Sequence, residues 1–126
     1  MPLVRISLRQ GKSDNDLQAI REGVYRALRD TFNVPENDRF ILLHQHADEE
    51  FDCSPDYLGI SRSQELVIIQ ITCNDTRSET QKRALYQRLT EYLTTAPGLR
   101  QEDVFINLLE TDRHNWSFGN GGMQYA

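Results

Sequence analysis

The sequence predicts an α/β (α+β) fold: a tandem β-α-β repeat forming a four-stranded mixed sheet with two helices on one face. Three observations predict it. The chain matches itself without a gap when displaced by 65 positions, each half runs strand, helix, strand, and each helical stretch carries one apolar stripe. The displacement lays Leu3 on Ile68, Val4 on Ile69, Ile6 on Ile71, Ser13 on Ser78, Asp38 on Asp103, Phe40 on Phe105, Ile41 on Ile106 and Leu43 on Leu108. One stripe per helix places both helices on the same side of the sheet and leaves its other side uncovered. Oligomerisation through that open face is the expected outcome.

Each element has its own local signal. Leu3-Val4-Arg5-Ile6-Ser7-Leu8 is a short run rich in branched and apolar residues, suited to a buried strand. Ser13 is a natural helix N-cap with Asp14 and Asp16 in the first turn, and Leu17, Ile20, Val24, Ala27 and Leu28 recur at helical spacing. Asn33-Val34-Pro35 stops that helix. Phe40 to Leu43 is apolar nearly throughout, as is Leu66 to Thr72, which fits strands covered on both faces. Ser78-Glu79-Thr80-Gln81 has capping-box spacing before Leu85, Leu89, Tyr92 and Leu93, and Pro97-Gly98 ends the second helix.

The chain has 126 residues, enough for one core, and reads as a single domain over 1–126. Repeat 1 covers about 2–46, repeat 2 about 66–110 and the C-terminal segment 111–126. Residues 47–63 form an acidic, turn-rich crossover loop on the surface, with Asp48-Glu49-Glu50, Ser54-Pro55-Asp56 and Gly59. Fourteen Lys and Arg against 19 Asp and Glu give a net charge of -5 with no basic run, which argues against nucleic acid. No apolar stretch reaches the roughly 20 residues of a membrane span, and no signal-peptide pattern opens the chain, so the expected location is cytoplasmic. Cys53 and Cys73 are too few for a metal knuckle or a disulfide scaffold and read as reduced.

The chemistry begins with Pro2. If Met1 is removed, the proline becomes a secondary amine at the chain end, able to act as base or acid; many chains begin Met-Pro with no such role. Under the internal repeat Pro2 falls on Val67 and Lys12 on Arg77, so both halves keep a cation before the helix N-cap while one alone has a chain end. A cation there opposes the helix dipole by roughly a few tenths of a kcal/mol. Arg77 is therefore either an ordinary solvated arginine or a ligand for an anion, which its guanidinium would hold bidentately.

Taken together, several stretches resemble the tautomerase superfamily (4-oxalocrotonate tautomerase-like). They are the amino-terminal proline, Gly11-Lys12-Ser13-Asp14, the doubled β-α-β unit, Pro35-Glu36-Asn37-Asp38-Arg39-Phe40, Arg77-Ser78-Glu79-Thr80-Gln81-Lys82 and Asn115-Trp116-Ser117-Phe118-Gly119. Among its branches the chain is most similar to malonate semialdehyde decarboxylase. The resemblance implies removal of Met1, a catalytic proline nitrogen, no cofactor and a homotrimer built on the open sheet faces. It also implies Pro2 as the catalytic amine, Asp38 as the acid assisting a water or carbonyl, and Arg77 as the arginine holding a substrate carboxylate. The decarboxylase carries a second arginine two residues earlier, where this chain has Asp75. An aspartate would repel a substrate carboxylate and weaken the stabilisation that decarboxylation needs.

A neutral proline would shuttle a proton on a small 2-oxo acid or its enol, whereas a protonated one would polarise a carbonyl toward decarboxylation or hydration of a 3-oxo acid. Asp38 favours the cation; Arg77 and an apolar wall favour the amine. Trp116 and Phe118 are candidates for that wall or plain packing for the tail. Proton transfer on a small carboxylate-bearing substrate is the leading expectation, with decarboxylation or hydration and a non-catalytic trimeric binding protein as alternatives. His44-Gln45-His46 offers two imidazoles without a third ligand tied to them, so no metal is expected. Gly119-Asn120-Gly121-Gly122 lacks the lysine and hydroxyl of a phosphate loop and reads as a turn.

Overall fold

The computed structural model describes residues 1–126. Strand β1 is Leu3–Arg9, helix α1 Asp14–Phe32, strand β2 Ile41–His46, strand β3 Val67–Asn74, helix α2 Glu79–Thr95 and strand β4 Val104–Thr111. The sheet order is β2-β1-β3-β4. Each β-α-β unit pairs its own strands in parallel, and the units join through antiparallel β1 and β3. The sheet is therefore mixed, with a pseudo-two-fold axis between its central strands.

Both N-caps form as the sequence predicts. Ser13 Oγ accepts from the Asp16 amide, and at Ser78 the box closes both ways: its hydroxyl accepts from the Gln81 amide while its own amide donates to Gln81 Oε1. Helix α1 ends on Asn33 in the left-handed region, φ 55°, where the short polar side chain is tolerated. Val4, Ile6 and Leu8 of β1 and Val67, Ile69 and Ile71 of β3 point toward the helices and meet Leu17, Ile20, Val24, Ala27 and Leu28 of α1 and Leu85, Leu89 and Leu93 of α2. The helices run antiparallel and touch closely at Gly23, where a Cβ would lie 2.8 Å from Leu93 Cδ2 and 3.3 Å from Tyr92 Cβ.

Two expectations need correction. The apolar runs of β2 and its lead-in are not covered on both faces within one chain, because no second layer exists behind the sheet. Phe40 and Leu42, with Phe105 and Leu109 of β4, leave 42–50% of their surface exposed. The crossover loop is not wholly superficial either: Phe51 is buried and its carbonyl accepts from Arg9 Nη2, which fastens the loop to the end of β1. Residues 119–122 form the expected turn, closed by the Gly122 amide on the Gly119 carbonyl. No helix is long and apolar enough to cross a membrane.

Candidate active site

Because β1 and β3 are antiparallel, the start of β1 and the exit of β3 meet at one end of the sheet. Leu3 faces Thr72 in the register, so Pro2 continues opposite Cys73, both on the helix-covered side and both buried. Cys73 is in turn paired with Glu110 of β4. Pro2, Cys73 and Glu110 thus form a row across three adjacent strands.

Asp38 enters from the turn before β2, where its amide donates to the Pro35 carbonyl. Its side chain is 12% exposed; Oδ2 lies 3.6 Å from the Met1 ammonium. The other oxygen, Oδ1, is buried and has no hydrogen-bond partner. A buried carboxylate oxygen left bare costs free energy, of order 1–3 kcal/mol, unless something else approaches it. The Met1 nitrogen is one residue from the Pro2 nitrogen, so Asp38 stands at the amino end of the chain.

Arg77 follows β3 and reaches across to the C-terminal end of α1. Its Nη2 donates to the Phe32 carbonyl at 3.1 Å, its Nη1 to Thr76 Oγ1 at 3.3 Å, and its plane covers the Phe32 ring at 4.9 Å. A cation is favourable at that helix end, and it satisfies a carbonyl the helix leaves orphaned. This answers the apparent cost of an arginine before the α2 cap. Arg77 enters none of the ion pairs of the molecule, so its charge is uncompensated by any carboxylate.

The C-terminal segment closes this end of the sheet with three rings. Trp116 Nε1 donates to Asn74 Oδ1 at 2.8 Å, Phe118 stacks on Trp116 at 5.4 Å between centroids, and Tyr125 meets Phe118 edge-on at 4.8 Å. The Tyr125 phenol lies in the field of both Asp38 and Arg77. Burial and then the Asp38 charge hold it above its ordinary value, with Arg77 opposing, so it remains a proton donor. Pro2, Asp38, Arg77, Trp116 and Phe118 therefore gather at one end of the molecule.

Sequence reasoning missed Tyr125, whose only signal is a third aromatic residue in a tail already holding two. It also missed the surroundings of Asp75. Glu110 hydrogen-bonds both the Asp75 carboxyl and Lys82 Nζ, the latter at 2.6 Å. The bond to Glu110, with its negative charge, pushes Asp75 up; Lys82 foremost, and the bond to Asp75, pull Glu110 down. Asp75 is thus the member of the acid pair that holds a proton more readily. Cys73 is pushed up by burial, against the pull of Arg77, and lies on the wrong side of its ordinary value for a nucleophile.

The internal two-fold supplies a control. At the opposite end of the sheet Asp103 occupies the place of Asp38, Lys12 that of Arg77 and Val67 that of Pro2. Asp103 is fully buried and satisfied, accepting from the Ser63 amide at 2.7 Å and its hydroxyl at 2.6 Å. Lys12 is ion-paired to Glu65. The chain arriving at β3 thus fills the place that a chain end leaves open at Pro2. An open cleft of about 610 Å³ lies at that far end, but both its cations are already paired, Lys12 with Glu65 and Arg9 with Asp48, and Asp16 adds a further negative charge.

A family model described as tautomerase enzyme matches residues 38–119, and a second of the same description matches residues 2–60. The chain is 39% identical over 124 residues to YusQ, a probable tautomerase of Bacillus subtilis (strain 168), covering 98% of each chain. Among solved structures it superimposes on malonate semialdehyde decarboxylase with a TM-score of 0.91 and 32% identity, covering 98% of this chain and 95% of the other. The decarboxylase is described as having decarboxylase and hydratase activities. A fused 4-OT, described as a symmetric trimer, shares the fold with a TM-score of 0.79 at 16% identity, over 95% of this chain and 94% of the other.

Proposed function

The chain belongs to the tautomerase superfamily, on its malonate semialdehyde decarboxylase branch, and is an enzyme of that superfamily; from this premise we propose that Pro2, freed by loss of Met1, moves a proton on a small 2-oxo acid or its enol. The observation that carries the reading is Asp38: one oxygen buried without a partner, the other 3.6 Å from the Met1 ammonium, one residue from the Pro2 nitrogen. Buried acceptors are seldom left bare, and one at the amino end of the chain fits a bound hydroxyl or water.

In this mechanism the uncompensated Arg77 holds the substrate carboxylate. The neutral Pro2 nitrogen takes the proton of the enol hydroxyl and returns it to C3, so the hydroxyl oxygen becomes the C2 carbonyl and the amine is regenerated. Tyr125, kept protonated, donates a hydrogen bond to the oxygen on which negative charge develops, with Asp38 orienting the amine. The ring stack of Trp116, Phe118 and Tyr125 borders this side. No cofactor enters any step. A second reading, decarboxylation or hydration of a 3-oxo acid, is favoured by the place of Asp38 at the amino end of the chain, where it pairs with the Met1 ammonium and would likewise stabilise a Pro2 ammonium that such a reaction uses. The exposed face formed by Phe40, Leu42, Phe105 and Leu109 supports a homotrimer, the state named for the fused 4-OT.

The test is ultraviolet-monitored ketonisation of phenylenolpyruvate by the wild-type chain and Pro2→Ala, both shown by intact mass to lack Met1. Proton transfer by the amine predicts a fall in kcat/KM of at least about 100-fold in the variant. Equal rates in the two proteins remove Pro2 from the mechanism.

A further inference from the structure

Charge is distributed unevenly around this end of the sheet. Arg77 is uncompensated, but the other nearby cation, Lys82, is tied to Glu110, and Glu110 is shared with Asp75. Two acids thus surround one lysine, and the cluster offers no net positive charge to a ligand. Its place is fixed by the strands. Glu110 lies two strands from Pro2 on the helix-covered side, with Cys73 between them, which at the usual strand spacing of about 4.8 Å puts it roughly 10 Å away. The Cys73 thiol, in the middle of the row, experiences the chain terminus, Arg77, Glu110 and Lys82 together. The remaining boundary is aromatic: Trp116 is anchored at Asn74, and the stack runs through Phe118 to Tyr125.

We propose that this arrangement makes the enzyme selective for 2-oxo acids, or their enols, that carry a single carboxylate and an apolar group at C3, with Glu110 and Asp75 as the residues that turn away a second carboxylate. The inference rests on the proton-transfer reading and deepens it. The first carboxylate goes to Arg77, the C3 substituent lies against the rings, and a C3 carboxylate would be brought toward an acid pair whose one lysine is already taken. Like charges at that separation near a protein surface, reduced by salt, are worth roughly a fivefold change in kcat/KM.

The experiment compares two enols that differ at C3 alone, phenylenolpyruvate and the enol of oxaloacetate, with the full chain, Glu110→Gln and Asp75→Asn. Wild type is expected to prefer phenylenolpyruvate by at least tenfold in kcat/KM. Glu110→Gln is expected to shift the ratio toward the oxaloacetate enol by about fivefold or more. Asp75→Asn, which leaves the Glu110–Lys82 pair in place, shifts it the same way by less and serves if Glu110→Gln does not fold. A wild-type preference for the oxaloacetate enol, or a ratio that neither folded variant moves, overturns the inference while leaving proton transfer intact. Ketonisation of both enols that is indifferent to Pro2→Ala overturns the mechanism beneath it as well.

Discussion

Two aspartates at equivalent positions of one chain, Asp38 and Asp103, have opposite fates, and the difference lies in what reaches each. Asp103 receives an amide and a hydroxyl from Ser63; Asp38 faces the chain terminus with Oδ1 bare. Asp38→Asn should therefore lower kcat by about tenfold or more, because a neutral amide cannot support the charge developing on the amine, while thermal stability stays equal or rises. Asp103→Asn should show the reverse, a loss of about 1–3 kcal/mol in denaturant unfolding as two hydrogen bonds to a buried carboxylate weaken. Tyr125 gives a pH signature. Its phenol is raised in the folded chain, so the stability it contributes is whole below the ordinary tyrosine value and is lost as pH rises through the folded one. Alkaline titration at 295 nm should show late-ionising tyrosine, part of which disappears in Tyr125→Phe.

Elements that depend on neighbours in sequence were legible before the structure. The caps at Ser13 and Ser78, the helix stop at Asn33-Val34-Pro35 and the stripes of both helices follow from residues within a few positions of one another. What could not be read joins distant points. Glu110 meets Asp75 and Lys82 from another strand, and Tyr125 reaches the field of Asp38 and Arg77 only because the tail folds back through two other rings. Arg77 was readable as an anion ligand, but its hold on the Phe32 carbonyl required knowing that the end of α1 lies beside the start of α2. The same helix contact gives a stability prediction. Gly23→Ala gains about 1 kcal/mol in helix propensity but crowds buried Leu93 and the Tyr92 Cβ, an overpacking cost of about 1–3 kcal/mol, so urea unfolding should show a net loss of about 1 kcal/mol.

At the scale of the whole molecule the dominant feature is a sheet with one covered side. Leu42 on β2 and Phe105 on β4 leave 45% and 42% of their surface exposed in a single chain, more apolar surface than an isolated sheet face usually shows to water. Sedimentation velocity should find wild type as a trimer and Leu42→Asp with Phe105→Asp as a smaller species, each charge costing a few kcal/mol if buried unpaired. The filled far end of the sheet has a separate consequence, one of stoichiometry. Duplication doubled the scaffold, yet the Ser63 to Glu65 segment occupies the second copy's place with Asp103 and Lys12 bound to it. A tight, irreversible titrant of the amine should therefore extinguish all activity at one equivalent per polypeptide, and the labelled peptide should always be the one that begins with proline.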